Sequence, residues 1–126
     1  MFSEGCLEGG VSVTDCLFCK IANKELAADI VFEDGTTLAF RDINPQAPVH
    51  LLIIPKKHIP SLSHLSPEDR ELVGHIHLVA KDLAAKEGIA EDGYRLVVNC
   101  NSAAGQTVFH LHFHLLGGRN LTWPPG

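Results

Sequence analysis

The sequence FHLHFHLLGG, residues 109–118, alternates three histidines with large apolar side chains. Because side chains of a strand point alternately to its two faces, the pattern predicts a strand over residues 107–116 with His110, His112 and His114 on one face. Successive imidazoles would then lie about 6.5–7 Å apart, the rise of two residues. Imidazole titrates near neutral pH, so such a row indicates nucleophilic, acid–base or metal chemistry; the plainer alternative is a solvated face of an amphipathic strand.

Length, composition and charge bound the class of protein. The 126 residues are 45% apolar and 20% charged, which is typical of a globular protein, and we expect one domain over residues 15–126 behind a flexible leader at residues 1–14. A net charge of −5 argues against duplex nucleic acid or an anionic membrane as a partner. Because the sequence shows neither a membrane-length apolar run nor a secretory signal, we expect a cytoplasmic protein.

The remaining pattern predicts an α+β domain with an antiparallel sheet of about five strands, one long helix and a short N-terminal helix. Alternating or continuous apolar residues predict the strands at residues 30–33, 37–40, 50–55, 94–99 and 107–116. The first two strands flank Asp34-Gly35, which is typical of a hairpin turn.

Capping signals predict where the two helices begin and end. Ser66 followed by Pro67 opens the long helix, and Gly88 is a plausible end for it. Its buried stripe is expected to consist of Leu72, Ile76, Val79 and Leu83. Asp15 is expected to cap the short helix over residues 16–23.

The chain has four cysteines, Cys6, Cys16, Cys19 and Cys100. In a reducing compartment the Cys16-x-x-Cys19 spacing indicates a metal-binding or a redox-active pair and not a structural disulfide. The intervening residues lack the Trp-Cys-Gly-Pro sequence of thioredoxins, which favours metal, although the spacing alone leaves both interpretations open.

The order and spacing of these motifs resemble the histidine triad (HIT) superfamily, and most closely its Hint branch of nucleoside phosphoramidases. The resemblance covers residues 15–126. Beside the histidine stretch it is carried by the segments Phe40-Arg41-Asp42-Ile43, Pro45-Gln46-Ala47-Pro48-Val49-His50, Ile54-Pro55-Lys56-Lys57-His58-Ile59, Gly93-Tyr94-Arg95, Val97-Val98-Asn99, Gly105-Gln106-Thr107-Val108, Gly117-Gly118-Arg119 and Trp123-Pro124-Pro125-Gly126.

The resemblance implies a catalytic role for four residues. His112 matches the nucleophile, which attacks the α-phosphorus and forms a nucleotidyl-histidine that water hydrolyses. His114 matches the donor to the phosphate oxygens, and His50 supports it from the adjacent strand. Thr107 stands where close relatives often carry serine, and its hydroxyl is expected to donate to the phosphate or the leaving group.

The resemblance also implies a nucleotide pocket. Phe18, Phe40 and Ile43 match its base-facing walls, and Asp42 matches the carboxylate that accepts from the ribose hydroxyls. The positions that match the phosphate end are Asn99, Gly105, Gln106 and Val108, where free backbone N–H groups of the 105–108 turn are expected to cradle phosphate oxygens.

Two further implications concern metal and assembly. In zinc-bearing members of the superfamily, two cysteines and two histidines bind one structural zinc ion, and the matching residues are Cys16, Cys19, His58 and His110. Relatives are homodimers joined through the helix and a strand, with the Trp123 segment reaching the neighbouring subunit's site.

The expected function is therefore hydrolysis of purine nucleoside monophosphate derivatives, either phosphoramidates or acyl-adenylates, at the α-phosphate. One alternative is hydrolysis of dinucleoside polyphosphates, as in another HIT branch. Another is a nucleotide-binding regulatory protein whose hydrolysis is incidental.

Overall fold

One antiparallel sheet of five strands organises residues 15–126, the part of the chain that the computed structural model describes. The expected leader at residues 1–14 lies outside the described residues, as does Cys6. The strands are β1 (Ile30–Glu33), β2 (Thr37–Arg41), β3 (Val49–Pro55), β4 (Tyr94–Val98) and β5 (Phe113–Gly117), in the spatial order β1-β2-β3-β5-β4. The α+β prediction is confirmed, and β2, β3 and β4 each differ from the expected bounds at one end by one residue.

The central strand β3 divides the core into two layers, because its side chains alternate between the faces of the sheet. Leu51 and Ile53 belong to one layer, together with the buried side of the long helix α2 (Arg70–Lys86). Leu52 and Ile54 belong to the other, together with the short helix α1 (Leu17–Ala22). His114 pairs with Leu52 across the strands, so the sheet presents its imidazole on the α1 side.

The long helix α2 starts through a 3-10 turn, Pro67–Asp69, that precedes Arg70. Ser66 and Asp69 form a capping box, and Gly88 follows the end of the helix with a φ of +79°, a conformation that glycine adopts without strain. The expected stripe is confirmed: Ile76, Val79 and Leu83 are buried, and Leu72 packs against them half-buried. Neither helix found between residues 15 and 126 has the length and apolar character needed to cross a membrane.

The short helix α1 is one residue shorter at each end than the predicted range of 16–23, and its N-cap residue differs. Cys16, not Asp15, is the N-cap residue, and its Sγ accepts a hydrogen bond from the Cys19 N–H at 3.3 Å. A side-chain acceptor three residues before the donor satisfies an otherwise unpaired amide of the first turn, so the thiol takes the role expected of the carboxylate.

The prediction of a strand over residues 107–116 is wrong for its first half. The strand β5 begins only at Phe113, so His110 and His112 precede it and only His114 lies within it. Its partner β3 ends at Pro55. The segment that precedes β5 therefore contacts the segment that follows Pro55, where the Leu111 N–H donates to the Ile59 carbonyl at 2.6 Å.

The imidazoles nevertheless lie close together. The ring centroids of His112 and His114 are 5.1 Å apart, less than an extended strand would give. The ring of Phe18 packs edge-on against both His110 and His112, at 6.0 Å and 5.0 Å, so α1 covers the row of histidines.

Candidate active site

A cavity of about 350 Å³ lies between α1 and the sheet. Its apolar end is formed by side chains of α1, β2 and β3, among them Leu17, Phe18, Ile21, Phe40 and Leu52. Its polar end is formed by Asp42, Thr107, His112 and His114. A single cavity thus offers an apolar surface to a flat ring and hydrogen-bonding groups to a charged or hydroxylated part of the same ligand.

His112 is held as a neutral imidazole with one nitrogen free. Its Nδ1 lies 2.7 Å from the His110 carbonyl oxygen, which can only accept, so Nδ1 carries the proton and Nε2 keeps its lone pair. The ring is buried, and burial lowers the pKa of His112 below its ordinary value. A neutral imidazole with a fixed, unprotonated Nε2 is a competent nucleophile at neutral pH.

A second chain of hydrogen bonds fixes the protons of His50 and His114. The Gln46 N–H donates to His50 Nδ1 at 3.0 Å, which leaves the proton of His50 on Nε2. That Nε2 lies 2.9 Å from His114 Nδ1 and donates to it. His114 therefore carries its own proton on Nε2 and is a hydrogen-bond donor at the polar end of the cavity.

Burial keeps this pair of imidazoles uncharged. It lowers the pKa of His114 to about 4, with further lowering from the neighbouring His112 and His50, while Asp42 acts in the opposite direction. Burial also lowers the pKa of His50, again against the charge of Asp42. At neutral pH the site presents imidazole N–H donors and not imidazolium cations.

Asp42 stands at the end of β2 with its carboxylate already oriented. Oδ1 accepts from the Asn44 N–H at 2.8 Å, and Oδ2 lies 3.4 Å from His50 Nε2. The carboxylate therefore lies beside the imidazoles and still has acceptor capacity toward the cavity that it lines.

The structure brings together most of the residues expected at the site. Those that line the cavity are Phe18, Phe40, Asp42, Ile43, Thr107, Val108, His112 and His114. The side chain of Ile43 is fully exposed, and His50 lies behind His114, in contact with it.

Three residues expected at the phosphate end, Asn99, Gly105 and Gln106, do not line the cavity. The expectation of free N–H groups is wrong for two of them, because the Gly105 N–H donates to the Ser102 carbonyl and the Gln106 N–H to the Asn101 carbonyl. The buried Gln106 amide donates to the carbonyls of Pro60 and Val108 and so holds the loop before the histidines.

Sequence reasoning missed part of the apolar wall and the Gln46 donor. Leu17 and Ile21, four residues apart on α1, line the cavity together with Phe18, and this helical spacing was a usable signal. Leu52 also lines the cavity, which its cross-strand pairing with Phe40 explains. The Gln46 N–H is a backbone donor, for which the residue type gives no signal.

A second cluster is entirely buried and combines the N-cap residue and one residue of α1 with two histidines from other segments: Cys16, Cys19, His58 and His110. One donor atom from each residue lies within 4.8 Å of the others. The sulfur-to-nitrogen distances of 3.3–3.5 Å are close to the ~3.6 Å edges of a tetrahedron around zinc with Zn–S and Zn–N bonds of about 2.3 and 2.0–2.1 Å. These four residues are placed to bind one metal ion.

The protonation of the cluster suits metal binding. His110 Nε2–H donates to the Pro55 carbonyl at 2.8 Å, which leaves the Nδ1 lone pair facing both sulfurs. The hydrogen bond with Cys19 lowers the pKa of the Cys16 thiol to about 2, against burial and with help from His110 and His58. Two thiolate and two imidazole ligands form a closed, structural type of site.

Comparison with known proteins gives the family. A model of the HIT domain matches residues 23–121, and the chain belongs to the HIT family. An uncharacterised HIT-like protein of Synechocystis is 57% identical over 112 residues, which cover 89% of this chain and 97% of that protein.

Two solved structures are similar to this chain in both sequence and fold. A HIT family hydrolase from Legionella pneumophila is 61% identical, with a TM-score of 0.87 over 88% of this chain and 99% of that one. A HIT family hydrolase from Clostridium thermocellum is 51% identical, with a TM-score of 0.84 over 86% and 94%.

Proposed function

We propose that the chain is a nucleotide hydrolase that cleaves phosphoramidate or acyl-phosphate bonds at the α-phosphate of purine nucleoside 5′-monophosphate derivatives. The observation that carries the proposal is the hydrogen bond from His112 Nδ1–H to the His110 carbonyl, at 2.7 Å. It leaves an unprotonated Nε2 on a residue that lines the cavity beside His114 and Asp42. Membership of the HIT family and the similarity to two HIT family hydrolases support the same class of reaction.

The proposed reaction has two displacements at phosphorus. In the first, His112 Nε2 forms a bond to phosphorus while the bond to the amine nitrogen or acyl oxygen breaks, and the leaving group departs with the electron pair. Thr107 and His114 Nε2–H are the candidate donors at that end of the cavity. In the second, water forms a bond to phosphorus while the N–P bond breaks and its electron pair returns to Nε2; a proton of the water goes to the group that protonated the leaving group, and the nucleoside monophosphate leaves a neutral His112 behind.

The same cavity supplies the proposed binding groups. The apolar end, with Phe18 and Phe40 packed edge-to-face at 5.5 Å, suits the flat faces of a purine. Asp42 is a fixed acceptor for the ribose hydroxyls, and the His114 Nε2–H is a donor to phosphate oxygens. The N–H groups of residues 105 and 106 already donate to backbone carbonyls of the protein, so the phosphate contacts fall to the imidazoles and to residues 107–108.

We also propose that the buried cluster holds zinc. When bound, zinc would crosslink α1 to the segments that carry His58 and His110, and it supplies no step of the reaction. The closed Cys2His2 donor set and its near-tetrahedral spacing support this choice of metal. Elemental analysis of the purified protein is expected to find one zinc per chain.

We propose further that the active form is a homodimer. β4 is an edge strand of the described sheet, Leu78 on α2 is 58% exposed, and Trp123 near the carboxyl end is 80% exposed. Light scattering is expected to give twice the mass of the chain. If the tail reaches the neighbouring site, Trp123→Ala should change KM and leave the dimer intact.

A comparison of substrates tests the proposed function. Purified, metal-analysed protein is assayed with adenosine 5′-phosphoramidate, an acyl-adenylate and a diadenosine polyphosphate, and AMP release is followed by chromatography. The proposal predicts the higher kcat/KM for the first two. A preference for the polyphosphate would favour the other HIT branch, and tight AMP binding without turnover of any substrate would favour a regulatory nucleotide-binding protein.

A further inference from the structure

Arg119 connects the end of β5 to the loop that precedes β3, outside the catalytic cavity. Its Nε donates to the Gln46 carbonyl at 3.0 Å, and one terminal nitrogen donates to the Asn120 carbonyl. The side chain is exposed, and it is not among the residues that line the cavity. No step of the proposed reaction uses it.

The same loop is also held from a second direction. Gly118 has a φ of +93°, and a Cβ at this position would lie 2.9 Å from the Pro48 Cβ. Glycine here therefore meets two requirements, a left-handed backbone and a close approach to the loop. Gly118 and Arg119 together dock residues 42–48 against the end of β5.

This docking controls the position of one backbone donor, the Gln46 N–H. The Gln46 N–H lies 3.0 Å from His50 Nδ1, and His50 Nε2 lies 2.9 Å from His114 Nδ1. A neutral imidazole has one proton, so the amide donor at one end decides which nitrogen of each ring carries it. If the amide moves away, either nitrogen of His50 can hold the proton, and the tautomer of His114 is no longer fixed.

We propose that Arg119 is a positioning residue for the site: by holding the Gln46 carbonyl it keeps the Gln46 N–H on His50, and so keeps the proton of His114 on Nε2. The groups that face His50 are Asp42 from the end of β2 and His114 from β5. Asp42 Oδ2, 3.4 Å from His50 Nε2, favours the same tautomer through its charge but makes no hydrogen bond with that nitrogen, whose hydrogen bond goes to His114. The Gln46 N–H is therefore the hydrogen bond that fixes the tautomer of His50.

The catalytic consequence rests on the proposed function, whereas the effect on the tautomers does not. If the tautomers are mixed, only part of the molecules carry the His114 proton on Nε2, and the other molecules lack the donor to the phosphate. Complete loss of one neutral hydrogen bond of this kind corresponds to a fall in kcat of about three- to tenfold, and a mixture of tautomers gives a fall in proportion to the fraction of molecules that lack the donor. KM is expected to change less than kcat, because the apolar end of the cavity and Asp42 are untouched.

The test compares the wild-type protein with Arg119→Ala, Arg119→Lys and Gly118→Ala by nitrogen NMR of ¹⁵N-histidine-labelled protein at neutral pH. Wild-type His50 and His114 should both be Nε2-protonated. Arg119→Ala should mix the tautomers of both rings, and Arg119→Lys, which retains one donor, should restore them in part. Gly118→Ala should act in the same direction by pushing on Pro48. Arg70→Ala, which removes an exposed arginine from the start of α2, is the matched control and should match the wild type.

Activity toward adenosine 5′-phosphoramidate is then measured on the same samples. A fall in kcat that parallels the tautomer mixing supports the proposal. Unchanged tautomers in Arg119→Ala would overturn it whatever the activity, and mixed tautomers with an unchanged kcat would overturn its catalytic part. If the tautomers mix while even the wild type hydrolyses nothing, the positioning role holds and the proposed function fails.

Discussion

Removing the metal proposed for the four-residue cluster is expected to weaken the proposed nucleotide binding far more than it slows the chemical step. The helix α1 has six residues, and isolated helices shorter than about 12–15 residues are marginal in water. It is anchored at one end by Cys16 and Cys19 and along its length by burial of Phe18 and Ile21. Without the metal crosslink, the wall of the cavity that α1 supplies becomes mobile.

The magnitude follows from what α1 contributes to the cavity. Contact between a base and an aromatic side chain is worth about 1–3 kcal/mol, so loss of an ordered Phe18 should raise the Kd for AMP by about 5- to 150-fold. The proposed nucleophile, His112, is also held by contacts outside α1. Its Nδ1–H donates to the His110 carbonyl, and the segment around it is fixed by the His110 ring on the Pro55 carbonyl and by the Leu111 N–H on the Ile59 carbonyl. At saturating substrate, kcat should stay within about threefold, or about 0.7 kcal/mol.

The assay uses protein stripped with a chelator and, separately, the double variant Cys16→Ala/Cys19→Ala. AMP affinity is measured by calorimetry, and hydrogen exchange is followed at Lys20 and Asn23, whose N–H groups donate within α1. These two amides should lose protection while β3 keeps it. Cys100→Ala, which removes a cysteine outside the cluster, should behave as wild type.

Two results would refute this reasoning. AMP affinity unchanged in protein shown to be metal-free would mean that α1 needs no metal to form its side of the cavity. A loss of kcat as large as the loss of affinity would mean that the cluster, and not only the backbone around it, holds the nucleophile.

Three further perturbations follow from individual residues. Because the pKa of His114 is lowered to about 4 in the folded protein, the unfolded chain takes up a proton at a higher pH than the folded one. The free energy of unfolding, measured by urea denaturation, should therefore fall by about 1–2 kcal/mol after solvent screening as the pH drops from about 6.5 toward 4. In His114→Gln the same fall should be shallower. Asp42→Asn should raise KM at least about tenfold for a ribonucleotide substrate, the cost of a charged hydrogen bond, and much less for its 2′,3′-dideoxy analogue. Gly117→Ala should lower the free energy of unfolding by about 1–3 kcal/mol, because the added Cβ would lie 2.6 Å from Ile89 Cδ1. Gly35→Ala, where a Cβ would meet open space, is the control and should be close to neutral; thermal unfolding of both variants measures the difference.

Local signals in the sequence predicted the elements whose structure is decided locally. The hairpin around Asp34-Gly35 and the helix opened by Ser66-Pro67 depend on turn and cap chemistry within a few residues. The long apolar strand β3 is buried on both faces, as its sequence predicts. These elements set the α+β fold.

The start of β5 was not predictable in the same way. Alternation of apolar and polar residues is already present in residues 109–112, but those residues do not pair with β3. Their path is set by non-local hydrogen bonds, from Leu111 to Ile59 and from Gln106 to Pro60. A period-two pattern therefore indicated which side chains share one side, and it overestimated the length of the strand.

The candidate site shows the same division. Residue types and the family resemblance identified the histidines, Asp42 and the four residues of the cluster, although His58 lies 39 positions from Cys19. The backbone groups that decide which imidazole nitrogens carry protons, the Gln46 N–H and the His110 carbonyl, carry no signal in residue type. Which residues gather in these two clusters was therefore more predictable than which of their nitrogens carry protons.

The identity of the nucleophile is tested most directly by the rate of AMP release from adenosine 5′-phosphoramidate by the wild-type protein and His112→Ala. His64→Ala, which removes an exposed histidine outside the site, is the matched control, and AMP affinity is measured in all three. We predict that the wild type and His64→Ala release AMP at similar rates. His112→Ala should be slower by about a thousandfold or more while still binding AMP. Turnover by His112→Ala at the wild-type rate, or no turnover by a wild-type protein that binds AMP, would contradict the assignment of His112 as the nucleophile of a nucleotide hydrolase.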